Sequence, residues 1–124
     1  MQRIFLVEDS HLVLARLEAM IGALPGARVV GTATHATRAI RGILDEKPDL
    51  VHCDLKLATG SGFDVLRAVR AAAPGIDVYM LSNFASEPYR RLATQLGARD
   101  FFDKTNDLQR VRDLVAERAA DKLA

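Results

Sequence analysis

A chain of 124 residues suits one domain, and its 49% hydrophobic content is enough to bury a proper core. A formal charge of +1 at pH 7 leaves no basic footprint of the kind that nucleic acid or an anionic membrane surface requires. The single cysteine cannot close an internal disulfide, no segment is long enough to span a bilayer, and the early apolar run is too short for a secretion signal, so a cytoplasmic protein is expected.

In chain order, short apolar runs alternate with helix-period patterns. The run IFLV (4–7) is followed by Ser10, a helix-capping residue type, and by Val13, Leu17, Met20, Ile21 and Leu24 on one helical face. The turn dipeptide Pro25-Gly26 leads into ARVVGTA (27–33), then into a stripe of Ala36, Ile40, Ile43 and Leu44 that Pro48 ends. The run DLVHC (49–53) precedes a third stripe of Leu66, Val69 and Ala73, closed by Pro74-Gly75. DVYML (77–81) precedes the Ser86 cap and a stripe of Tyr89, Leu92, Ala93 and Leu96, with Gly97 at its end. Last come DFF (100–102), a cap at Asn106, and Leu108, Val111 and Val115.

Five such units predict an α/β fold: a parallel sheet covered by helices on both faces, with strands buried on both sides. Ligands of such sheets sit beyond the carboxyl ends of the strands. Those ends carry Glu8-Asp9, Asp54, Ser82-Asn83 and Asp103-Lys104, whereas the second strand ends in Thr32-Ala33 and offers no acid. In a sheet of order 2-1-3-4-5, Glu8, Asp9, Asp54, Ser82 and Lys104 converge at one edge. Clustered carboxylates repel, and a divalent cation such as Mg2+, taking carboxylate, water and phosphate oxygens, resolves the conflict. That set suits phosphoryl chemistry: a carboxylate as nucleophile, a metal and a lysine against the charge on the transferring oxygens, and a serine hydroxyl as donor.

With these residues in view, the sequence resembles a receiver domain of a bacterial two-component response regulator over essentially its whole length, 1–124. Glu8-Asp9 matches the acidic pair after the first strand, and Asp54 the phosphoacceptor with Gly62 eight residues later. Ser82 matches the switch Ser/Thr, Lys104 the family's lysine, and Phe101, three residues earlier, the switch aromatic. The resemblance implies a flavodoxin-like, doubly wound sheet of order 2-1-3-4-5 with five helices. It implies that Asp54 takes a phosphoryl group from a histidine kinase or phosphotransfer protein. Asp9, Asp54 and the Lys56 backbone carbonyl would bind Mg2+ directly, and Glu8 through a water. Ser82 would then turn toward the phosphoryl group and Phe101 would move inward. Output would pass through the face of the fourth helix, fifth strand and fifth helix, to an unknown protein target or through a phosphorylation-dependent homodimer.

The sequence departs from the family pattern at several places. Leu57 and Ala58 replace a common Met-Pro, and Thr105 replaces the proline after the lysine, so a trans Lys104-Thr105 bond is expected. Lys56 adds a cation beside the site, Asn83 stands where a very small residue is usual, and Phe84 follows it. These three are expected to tune the lifetime of the phosphorylated state. His11, His35 and His52 have no metal-ligand spacing; His52 reads as a packed strand histidine and Cys53 as a small core residue on the opposite sheet face. Of the adjacent pair Phe101 and Phe102, one is expected in the core.

The expected function is thus a phosphorylation switch that catalyses only its own phosphorylation and dephosphorylation, without nucleic-acid or membrane contact. The alternatives are the receiver portion of a longer DNA-binding regulator and an aspartyl-phosphate phosphatase or phosphotransferase. Lys56 argues against a haloacid-dehalogenase-type enzyme, which carries an acid two residues after its nucleophile. The acidic VEDSHL segment argues against a flavin or nucleotide carrier, whose loop after the first strand must cradle phosphate.

Overall fold

The computed structural model describes residues 1–83 and 86–123. Five strands alternate with five helices: β1 (Gln2–Val7), α1 (His11–Gly22), β2 (Ala27–Ala33), α2 (Ala36–Glu46), β3 (Leu50–Asp54), α3 (Gly62–Ala72), β4 (Asp77–Ser82), α4 (Glu87–Gln95), β5 (Asp100–Asp103) and α5 (Leu108–Leu123). All pairings are parallel and the order is β2-β1-β3-β4-β5, as expected. β1 starts two residues earlier than its apolar run because Gln2 and Arg3 pair with Ala27 and Arg28 of β2. Asp54 is the last residue of β3, opposite Leu81, as expected.

Strand alternation divides the core into two layers. Phe5, Val7, Val51, Cys53, Val78, Met80 and Phe101 pack against residues of α2, α3 and α4. Ile4, Leu6, Leu50, Tyr79, Leu81 and Phe102 face the other way, against Leu14, Leu17 and Ile21 of α1 and Val111 and Val115 of α5. Phe101 and Phe102 therefore both lie in the core, one in each layer, where the sequence placed one of them.

The helix ends follow local chemistry. The Ser10 hydroxyl accepts the Val13 N–H at the start of α1, and Ser61 with Asp64 forms a reciprocal capping box on α3. Two expectations change. Ser86 occupies the cap position of α4 without a side-chain cap bond. α5 starts one residue later than an Asn106 cap requires: the Asp107 carbonyl accepts the first helical bond, from Val111. Tyr89 also leaves its predicted stripe, for it is 43% exposed and its ring stacks on Phe63 at a centroid distance of 6.4 Å. Its ring lies on Phe63 of the neighbouring helix α3 instead of under α4. No peptide bond among the described residues is cis, so the Lys104-Thr105 bond is trans, as expected.

His52 is the polar exception in the second layer. It is 1% exposed, its ring packs against those of Tyr79 and Phe102, and neither ring nitrogen has a hydrogen-bond partner among the described residues. Burial, reinforced by the positive Arg118, pulls its pKa down to about 4. The unfolded chain, with a histidine near 6.5, takes up the proton first as pH falls. The stability that His52 permits is thus complete above about pH 6.5 and is lost toward about pH 4, by about 3 kcal/mol. His52→Phe should flatten this acid limb in urea melts taken across that range; an unchanged slope would show that other groups set it.

Candidate functional site

The carboxyl ends of β1, β3, β4 and β5 meet around one cleft of about 260 Å³, lined by Glu8, Asp9, Ser10, Val13, Asp54, Lys56, Asn83 and Lys104. Six of these residues were predicted from sequence. The other predicted residues of the described chain sit outside the lining: Ser82 is fully buried at the end of β4, and Phe101 is 4% exposed in β5. Phe84 lies outside the described residues.

At the centre is Lys104. Its Nζ lies 2.9 Å from Asp54 Oδ2 and 2.5 Å from Glu8 Oε1. Its backbone N–H donates to the Ser82 carbonyl at 3.0 Å, so the strand that follows Ser82 in space also delivers the ammonium. Glu8 is 1% exposed; Oε2 accepts the Ser10 N–H at 2.9 Å, and Oε1 meets the Lys104 ammonium as an ion pair. Ser10 and Val13 were not singled out from sequence as lining residues. Ser10 could have been, because a serine two residues after a buried acid can offer it a backbone N–H while capping the next helix.

Glycine at 62 has a reason other than room for an incoming group. A Cβ there would stand 2.2 Å from the Asp54 carbonyl oxygen, so α3 begins directly against the backbone of the strand end. The Gly62 N–H bonds the Leu55 carbonyl at 2.7 Å, and Lys56 pairs with Ser61 in a one-rung antiparallel bridge. This tight hairpin sets the Lys56 side chain in solvent at the rim of the cleft.

Electrostatics follow from the crowding. Burial pushes the Asp54 carboxyl up, the Lys104 hydrogen bond opposes, and the nearby Glu8 charge adds to the rise, leaving Asp54 at about 6. Burial works against the Lys104 charge, but hydrogen bonds and attraction from Glu8 and Asp54 outweigh it and hold its pKa above the ordinary value. Next to this acidity the Cys53 thiol, buried on the opposite face, is pushed up out of the reactive range by burial and then by the Asp54 and Glu8 charges.

Three carboxylates face two ammonium groups here, one of which, on Lys56, is exposed. Among the described residues no three His, Cys, Asp or Glu side chains are gathered into a ready-made cage. The donor set nonetheless fits Mg2+, which prefers a few hard carboxylate oxygens and keeps several waters. Burial first, and then the neighbouring Glu8 charge, raise Asp54 against the pull of the one buried ammonium, so the ionised pair of carboxylates is a place where a cation would be favourable.

A family model for the response regulator receiver domain matches residues 4–116. The chain belongs to that family. It is 35% identical over 102 residues to a protein-glutamate methylesterase/protein-glutamine glutaminase of Geobacter sulfurreducens, covering 82% of this chain and 27% of that protein. It is 25% identical to the uncharacterized transcriptional regulatory protein YvfU of Bacillus subtilis, over 93% of this chain and 58% of that one. The receiver thus spans less than two thirds of the length of either relative. Among solved structures, the response regulator domain of Thermotoga maritima CheB superposes with a TM-score of 0.84 at 25% identity, covering 96% of this chain and 93% of that one. A CheY-like receiver from Methanospirillum hungatei shares the fold, with a TM-score of 0.86 at 21% identity over 98% of this chain and 95% of that one. The fold, its strand order and its membership in two-component signalling thus agree with the reading from sequence. No helix among the described residues is long and apolar enough to cross a membrane.

Ionised Asp54 costs stability wherever pH exceeds its folded pKa of about 6, and the cost vanishes below its ordinary value of 3.8. Asp54→Asn should therefore melt above the parent near neutral pH in metal-free buffer, and the gap should close as pH falls toward about 4. A gap that stays constant with pH would mean that the buried, crowded charge of Asp54 is not its cause.

Proposed function

We propose that this receiver is a phosphorylation switch in which Asp54 is the phosphoacceptor. The observation that carries the reading is the placement of the Asp54 carboxylate at the end of the central strand, 2.9 Å from the Lys104 ammonium, in a cleft that also holds Glu8 and Asp9. A carboxylate oxygen of Asp54 attacks the phosphorus of a phosphohistidine on a histidine kinase or phosphotransfer protein. The new O–P bond forms as the N–P bond breaks, and the imidazole leaves with the electron pair. Lys104, already shared between Asp54 and Glu8, stands ready to pair with the phosphoryl oxygens. The backbone of β5 ties this lysine to Ser82, so the hydroxyl of the switch serine and the ammonium respond together.

Asp9, Asp54, the Lys56 carbonyl and Glu8 are the residues that would hold Mg2+ in this cleft. When bound, it neutralises charge on the phosphoryl oxygens. The chain's own catalysis is limited to making and hydrolysing its acyl phosphate in the cytoplasm. Output passes by protein contact through the α4–β5–α5 face, to a downstream target or a second copy. The greater length of the matched relatives favours a second form of the same reading, in which the receiver controls a further domain of a longer regulator.

Acetyl phosphate with Mg2+ should give a base-labile phosphoryl adduct by intact mass. It should be absent in Asp54→Asn, absent after chelation of the metal, and formed at least about tenfold more slowly in Lys104→Ala. An adduct that survives in Asp54→Asn would move the acceptor elsewhere. Lys56 stands exposed at the cleft rim, with Asn83 also exposed across from it and Phe84 next in sequence. Their role is to set the lifetime of the adduct: Lys56→Ala and Phe84→Ala should each change the dephosphorylation rate by about threefold or more, a modest transition-state effect. Unchanged decay in both variants would remove them from that role.

A further inference from the structure

β5 is the edge strand of the sheet, and it carries Lys104 directly after its last residue. An edge strand leaves every second residue's N–H and C=O facing outward without a ladder partner. Here side chains take those groups. The Phe101 N–H donates to Asp100 Oδ1 at 2.7 Å, and the Asp103 N–H donates to Asp107 Oδ2 at 2.9 Å. The Phe101 carbonyl accepts from Arg90 Nη1 of α4 at 3.0 Å. The same guanidinium lies over the Phe101 ring, 5.1 Å from its centroid. Arg90 thus grips one residue of β5 by its backbone and by its ring at once.

Leu92 and Ala93 of α4, with Leu96 at its end, add apolar packing against the core layer that holds Phe101, but that packing does not fix the strand backbone. Ala93 is the one fully buried residue of this helix among the described residues. On the other face Arg110 of α5 covers Phe102 at the same 5.1 Å, but its ion pairs run to Asp100 and Asp107 side chains rather than to a β5 carbonyl. A guanidinium is always charged and presents fixed, planar donors, so it suits a contact that must hold position. From Phe101 to Lys104 is three residues, about 10 Å of extended chain. Any outward movement of β5 carries the ammonium away from Asp54 and Glu8.

We propose that Arg90 is a positioning residue for phosphoryl transfer, holding β5 at the depth where Lys104 reaches Asp54 and Glu8. This rests on Asp54 as the phosphoacceptor, and it adds that Phe101 is held inward by α4 before any phosphoryl group arrives.

Two measurements test it. Amide exchange by NMR should show the Lys104 N–H, bonded to Ser82, exchanging about tenfold faster in Arg90→Ala, the loss expected for one charge-assisted hydrogen bond. Arg90→Lys, which keeps a cation and a donor, should recover part of the protection, and Arg110→Ala should leave that amide unchanged. Phosphorylation from acetyl phosphate should slow about tenfold in Arg90→Ala, as expected for a misplaced reacting group, with no further slowing when the same change is made in Lys104→Ala. Equal exchange in Arg90→Ala and Arg110→Ala, or equal slowing in both lysine backgrounds, overturns the proposal and leaves Arg90 a general structural contact. Absence of an adduct in the parent would sink the phosphoacceptor reading alone, and the exchange arm would still decide whether Arg90 holds β5.

Discussion

Lys104 brings an ammonium between two buried carboxylates, and the mutual placement of three strand ends depends on it. Glu8 follows β1, Asp54 ends β3 and Lys104 follows β5, so one side chain ties together chain segments far apart in sequence. An exposed ion pair contributes only about 0–1 kcal/mol, because water competes for both charges. This one differs because Glu8 is 1% and Asp54 6% exposed, and removing the cation would leave two desolvated like charges facing each other. The same burial and crowding that cost stability leave carboxylate charge that a bound cation would relieve. The site is held ready at the expense of the fold around it.

Strand β3 concentrates that tension. His52 and Asp54 point to the same sheet face two residues apart, while Val51 and Cys53 pack into the opposite layer. Both polar residues are unfavourable when charged, but they are charged at opposite ends of the scale. Acid charges His52 against its burial and relieves Asp54 of its charge. Between about pH 6.5 and 4 the two slopes oppose each other, so the parent's stability varies less with pH than either group alone would make it.

Most of the site was legible because its chemistry lies at element boundaries, where sequence pattern is strongest. An apolar run stopping at an acid, repeated in a βα series, identifies strand ends that point to one edge. Glu8, Asp9, Asp54 and Lys104 were found this way, Lys56 and Asn83 from departures from the family pattern, and all six line the cleft. The misreadings concern direction and depth. Helical periodicity put Tyr89 in the apolar stripe of α4, yet its ring is 43% exposed and stacks on Phe63 of α3. Asn106 has the chemistry of a cap, but Asp107 lies beside it with a carboxylate that also serves the Asp103 N–H, and the helix starts after that residue. Arg90 was invisible: one arginine among many on an exposed helix carries no pattern, and its partner is a backbone carbonyl, which no sequence displays.

The sequence by itself determined the number and type of elements and the identity of the acids and the lysine at the strand ends. These follow from periodicity and from turn chemistry, which are local. Only the tertiary structure decided what depends on distance between remote segments. It set the bridge from Lys104 to Glu8 and Asp54 and the contact that demands glycine at 62. It also set the inward placement of Phe101 under Arg90. Each is fixed by how an edge strand and a helix end dock on the sheet, and docking depends on packing geometry that no window of neighbouring residues contains.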